Sequence, residues 1–117
     1  PEIGACHCDM CRRWVGGPYM GLHLKGDVAF EGGENVGVYR GSEWAERGFC
    51  KSCGTHLFYR LKGRKQYHVA LGLFGDAVSP TFAIQVFADK KPDFYSFANE
   101  TKEMTEQQVF DMYAPKS

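Results

Sequence analysis

The sequence predicts a mainly β fold of short antiparallel strands with one short C-terminal helix. Short runs rich in aromatic and β-branched residues recur along the chain, glycine-bearing turns separate them, and no internal repeat, low-complexity tract or linker interrupts the pattern. The expected strands are Tyr19–Leu24, Val28–Glu31, Val36–Arg40, Ala45–Phe49, Thr55–Leu61, Tyr67–Leu73 and Phe82–Phe87. Between them, Lys25-Gly26-Asp27, Gly32-Gly33-Glu34-Asn35 and Lys62-Gly63-Arg64-Lys65 carry the glycines that tight turns use. The helix is placed by Thr105 and Gln108, which form a capping box ahead of Val109, Phe110, Met112 and Tyr113, and Pro115 is expected to end it. A shorter helical turn is expected from Asp9 to Trp14, stopped by Gly16-Gly17, with Arg12 and Arg13 beside the neighbouring cysteines.

A chain of 117 residues, 44% hydrophobic and 15% aromatic, suits one core, so residues 1–117 are read as a single domain. Lysine plus arginine equals aspartate plus glutamate at 14 each, which leaves no net field to draw in nucleic acid or an anionic membrane. The longest apolar stretches fall well short of the ~20 residues of a spanning helix, and no basic-then-apolar leader opens the sequence. A cytoplasmic protein is the expectation.

The cysteines carry the chemistry. Five is an odd number for a framework of disulfides, and neighbours one or two residues apart pair only with strain, yet they converge readily on a metal ion. Cys6, Cys8 and Cys11 can supply three thiolates from one tight loop, and Cys50 with Cys53 ahead of Gly54 makes a knuckle supplying two more. Zinc prefers four ligands, so two arrangements stay open. In one, Cys8, Cys11, Cys50 and Cys53 close a single structural site and Cys6 is spare. In the other, Cys6, Cys8 and Cys11 hold a zinc with an open position, and the knuckle belongs to a second site that His56 could help complete.

An open three-thiolate zinc bears a formal charge of about −1 and is a weak Lewis acid, but it still lowers the pKa of an incoming thiol. Arg12 and Arg13 are placed to offset that charge or to hold a substrate carboxylate, with Arg47 a weaker candidate for the same task. A small acidic thiol is the ligand this suggests.

The residues also resemble a known family. Cys6-His7-Cys8-x-x-Cys11-Arg12-Arg13 with Gly16-Gly17-Pro18-Tyr19, then Arg47-Gly48-Phe49-Cys50-x-x-Cys53-Gly54-Thr55-x-Leu57-Phe58, is similar to the glutathione-dependent formaldehyde-activating enzymes, or S-hydroxymethylglutathione synthases. That family shares its zinc domain with centromere protein V, and the stretch from Phe87 to Tyr95 resembles its ending. The resemblance implies a β-tent with zinc sites and a carbon–sulfur lyase-type reaction in which glutathione's thiol adds to formaldehyde. It implies that Cys6, Cys8 and Cys11 bind the catalytic zinc and that Cys50 and Cys53 form half of the structural one. The family's opening Gly-x-Cys-x-Cys-Gly segment does not precede Pro1, so two structural ligands are expected to be missing, and the strand edge left unpaired could recruit a second copy into a homodimer.

Other residues have plainer readings. His7, between two ligands, is expected to point away from them, to the second shell or the surface. His23 and His68 read as strand residues, Trp14, Tyr19, Trp44, Phe49 and Phe58 as core or pocket-wall rings, and Gly48 and Gly54 as turn glycines. Tyr39 and Tyr59 are candidates for a pocket. Two functions follow: a zinc enzyme joining a glutathione-like thiol to a small aldehyde, or a non-catalytic zinc module that carries thiol adducts or binds a protein partner.

Overall fold

In a computed structural model that describes residues 1–26, 28–43, 45–61 and 66–113, one eight-stranded sheet organises the chain. The strands are β1 (Glu2–Cys6), β2 (Tyr19–Lys25), β3 (Val36–Tyr39), β4 (Ala45–Cys50), β5 (His56–Leu61), β6 (Gln66–Ala70), β7 (Thr81–Val86) and β8 (Lys102–Met104). They lie in the order β3-β4-β5-β6-β2-β1-β7-β8, and two helices, α1 (Asp9–Val15) and α2 (Glu106–Tyr113), complete the fold. The mainly β expectation is met. No helix among the described residues is long and apolar enough to cross a membrane.

Six of the seven expected strands are present, with ends shifted by a residue or a few. Val28–Glu31 is the exception: the segment pairs with no strand, and Phe30 instead stacks on Phe58 with ring centroids 5.3 Å apart. An apolar segment can cover a sheet by side-chain packing alone, which periodicity cannot distinguish from pairing. β6 stops at Ala70, where Leu71–Phe74 turn into a 3-10 helix. Two strands were not expected. β1 lies between β2 and β7 with Ile3 and Ala5 buried, and β8 pairs with the end of β7. Both β1 and β8 run parallel to β7, which corrects the all-antiparallel expectation. Parallel partners are far apart in sequence, so no local turn signals them.

α2 starts and α1 stops for the expected local reasons. The Thr105 hydroxyl accepts from the Gln108 N–H at 3.2 Å, and the Gln108 side chain accepts from the Thr105 N–H at 2.8 Å, a reciprocal capping box. Gly16 caps α1 in the left-handed conformation and donates its N–H to Arg12 O at 2.8 Å. The expected stop at Pro115, Trp44 as a core ring and the turn at 62–65 lie outside the described residues.

Gly48 is not a turn residue. It sits within β4 opposite Phe58, whose ring would lie 2.2 Å from a Cβ, so hydrogen is the only side chain that fits beneath that ring. Gly54 does take the turn role, with φ +80° in the knuckle. The core cluster that positions the site joins Cys6, Cys11, Tyr19, Phe87, Met104 and Val109, and Phe110 of α2 packs edge-on to Phe87.

Candidate metal centre

The joint between β1 and α1 gathers three sulfurs. β1 ends at Cys6, and the His7 N–H continues the ladder by donating to Val86 O at 3.1 Å. Cys8 is the N-cap of α1, and its sulfur accepts the Cys11 N–H at 3.3 Å. Cys11 lies one turn into the helix, so its side chain returns to the same spot. The three sulfurs all lie within 4.8 Å of one another, with Cys6 and Cys11 buried. Sulfurs about 3.8 Å apart surround a tetrahedral ion at a Zn–S distance of about 2.3 Å, so this donor set could hold a metal ion.

Alternation along the strand turns His7 to the other side, as expected, but into the interior and not the surface. Its Nε2 lies 2.8 Å from Gln85 Oε1, the Gln85 amide donates to Thr101 at 3.0 Å, and Tyr95 O–H is 3.3 Å from Nδ1. This buried chain ties the ligand loop to β7 and to the segment after it.

The thiols polarise one another. Hydrogen bonds from Cys11 and Cys6 outweigh burial and pull the Cys8 thiol down to about 2. Giving those bonds, together with burial, pushes Cys6 well up; Cys11 rises to about 11, the bond from Cys6 being outweighed by the bond to Cys8 and by burial. Within the cluster the mutual bonding thus favours the thiolate form at Cys8 and the protonated form at Cys6 and Cys11.

Arg47 is the cation at the cluster. It is buried, its Nη1 donates to Cys11 Sγ at 3.4 Å, and its guanidinium lies over Trp14 at 4.9 Å and Tyr59 at 5.7 Å. Burial works against its charge, but attraction to Cys11 and the other thiols outweighs that and raises its pKa. Arg12 is engaged elsewhere, donating to Asp9 at 2.6 Å and to the His7 carbonyl at 3.0 Å, and Arg13 is exposed.

Cys50 and Cys53 stand apart from this group. Cys6, Cys8 and Cys11 are the one gathering of three or more such donors among the described residues, so neither the four-cysteine site nor a Cys50/Cys53/His56 trio is formed. The strand explains it: Cys50 follows Arg47 by three residues, about 10 Å farther along β4. His56 turns instead to Trp14, edge-on at 4.4 Å, with its Nδ1 buried and without a hydrogen-bond partner.

A cavity of about 620 Å³ opens onto the sulfurs. One wall is a cross-strand row in which Arg47 faces Tyr59, Tyr59 faces His68, and His68 faces His23 across β4, β5, β6 and β2. His68 stacks on both neighbours, 4.3 Å from Tyr59 and 4.6 Å from His23, and burial, helped by His23, pushes its pKa down to about 3. It is thus a neutral ring at pH 7. Sequence reading took the histidines as ordinary strand residues and ranked Arg47 below Arg12 and Arg13. Only the alternation of Arg47, Tyr59 and His68 within their strands hinted at a shared face.

Comparison with known proteins agrees with this architecture. The chain is 40% identical over 110 residues to an uncharacterized lyase of Schizosaccharomyces pombe, covering 93% of this chain and 80% of that protein. A crystal structure of a Rhodobacter sphaeroides protein superposes with a TM-score of 0.52 at 21% identity, over 68% of this chain and 79% of that one, a likeness of fold. Residues 2–90, with Cys6, Cys8 and Cys11 and the Cys50/Cys53 knuckle among them, match the family described as glutathione-dependent formaldehyde-activating enzyme. The chain belongs to the glutathione-dependent formaldehyde-activating enzyme family.

Proposed function

We propose that the protein is a zinc-dependent, carbon–sulfur lyase-type enzyme that joins glutathione or a similar small thiol to formaldehyde or a related small aldehyde. The observation that carries this is the convergence of Cys6, Cys8 and Cys11 on the wall of an open cavity, with no fourth protein donor among the described residues. Structural zinc sites fill all four positions from the protein, whereas catalytic ones leave one free. The family and the lyase name borne by the yeast relative support the same reading. Zinc, when held there, supplies a lowered thiol pKa at neutral pH.

The chain's own residues supply the rest. Cys6, Cys8 and Cys11 hold the ion, Arg47 offsets the charge that thiolates accumulate, and the rings of Tyr59 and His68 present a wall without a charge of its own. The attacking sulfur gives its electron pair to the carbonyl carbon, the carbonyl oxygen takes up the displaced pair, and a proton from solvent completes the hydroxymethyl group. Cys50 and Cys53 serve a second, structural site whose other ligands lie outside this pair.

The test is exchange spectroscopy on glutathione, formaldehyde and their adduct. Zinc-loaded protein is expected to speed their interconversion, and Cys8→Ser to abolish the gain. Equal exchange with and without protein would overturn the assignment.

A further inference from the structure

A second cavity, of about 440 Å³, shares Met10 and Arg47 with the first. Met10, Arg13 and Trp14 line it from α1, at the three- and four-residue spacing that puts them on one helix face, and Tyr39, Arg47 and Phe49 line it from β3 and β4. Its charge is one-sided. Among the described residues two guanidiniums and no carboxylate border it, whereas acids and lysines both border the main cavity. Among the described residues Arg13 has no ion-pair partner, and Arg47 pairs with no carboxylate, its countercharge being the sulfur cluster.

Arg47 is the more telling of the two. A guanidinium carries five N–H donors in a rigid plane, and the hydrogen bond to Cys11 occupies one of them. The sulfur cluster meets its charge on one side and takes a single N–H, which leaves the other donors open to an oxygen acceptor. Trp14 and Tyr59 lie against the group, 4.9 and 5.7 Å from its carbon, and with the Cys11 bond they restrict its movement before any ligand arrives.

We propose that this second cavity is a carboxylate subsite for the thiol substrate, with Arg13 and Arg47 binding the acid and Trp14 flanking its chain. The inference rests on the thiol–aldehyde reading for the identity of the ligand. Arg47 touches both the sulfur cluster and this cavity, so the subsite begins one side chain from the place where a substrate sulfur arrives. One residue of chain spans about 3.5 Å, so a carboxylate one or two residues from a cysteinyl sulfur reaches across that wall.

The experiment measures binding of S-methylglutathione, which keeps both carboxylates but has no thiol, and of its dimethyl ester, by calorimetry on the full zinc-loaded chain. The acid is expected to bind at least about tenfold more tightly than the ester, and Arg13→Gln, an exposed change that spares the fold, to remove most of that difference. Arg47→Lys is expected to remove it further. Equal binding of acid and ester, no measurable binding of the acid, or an acid preference untouched by Arg13→Gln would each overturn the subsite. Acid preference without accelerated adduct exchange leaves the subsite standing and removes the enzyme; accelerated exchange with no acid preference does the reverse.

Discussion

The two cysteine motifs are built from the same residue at nearly the same spacing, yet the fold treats them oppositely. Cys6, Cys8 and Cys11 sit where a central strand meets a helix, facing a cavity, with a buried arginine against them and a buried histidine behind. Cys50 and Cys53 sit where β4 leaves the sheet, with Cys53 exposed and its sulfur 3.0 Å from the Thr55 hydroxyl. Short cysteine spacing thus marks both motifs as candidate metal ligands, but burial and the neighbouring charge set apart the group whose three sulfurs could hold an ion.

The largest break in that comparison comes from deleting a sulfur at each place. Cys11→Ser is expected to weaken zinc binding at the first cluster by more than about 100-fold, beyond what changes outside the ligand shell produce, while Cys53→Ser leaves that affinity unchanged. Competition with a chromophoric chelator reads both. Equal losses in the two variants would mean that the motifs share one ion.

A smaller effect is expected where the regions meet. β4 carries Arg47 toward the cluster and Cys50 toward the knuckle, and the Phe58 ring occupies the space a Cβ at Gly48 would need between them. Gly48→Ala is expected to cost about 1–3 kcal/mol, the range for overpacking, since the ring and the strand backbone cannot both stay. Denaturant unfolding of the metal-free chain measures it, and Gly48→Ala with Phe58→Leu should recover part of the loss. A neutral Gly48→Ala would show that β4 shifts freely and that Arg47 is not held in place by its strand.

The smallest effect sharpens the contrast in reactivity. In the metal-free chain the hydrogen bond with Thr55, followed by that with Cys50, lowers the Cys53 thiol to about 7, so alkylation of Cys53 by iodoacetamide should rise with pH through that value. Thr55→Val is expected to move the profile to higher pH and to slow the reaction at pH 7 several-fold. Mass spectrometry of single-site alkylation follows it. An unchanged profile would assign the low pKa to Cys50 and not to Thr55.

Much of the site was legible because its signals are local. Spacing alone marked Cys6, Cys8 and Cys11, because a strand end and the first turn of a helix bring such neighbours together. The Thr105 and Gln108 pair marked α2, and Gly16 marked the end of α1, each through hydrogen bonds that close within four residues. Arg47 was undervalued because its partner, Cys11, is 36 residues away.

The sequence by itself therefore determined the β character, the two short helices and the two cysteine groups as candidate metal ligands, but left open which sulfurs gather, and the structure brings Cys6, Cys8 and Cys11 together. Tertiary structure alone decided that β1 lies inside the sheet beside β7, that His7 is buried against Gln85, and that Arg47, Tyr59, His68 and His23 stand in one row. The division has one physical cause. Caps and ligand loops are closed by bonds between near neighbours, whereas strand order and cross-strand rows depend on pairings between segments tens of residues apart, whose partners no local pattern names.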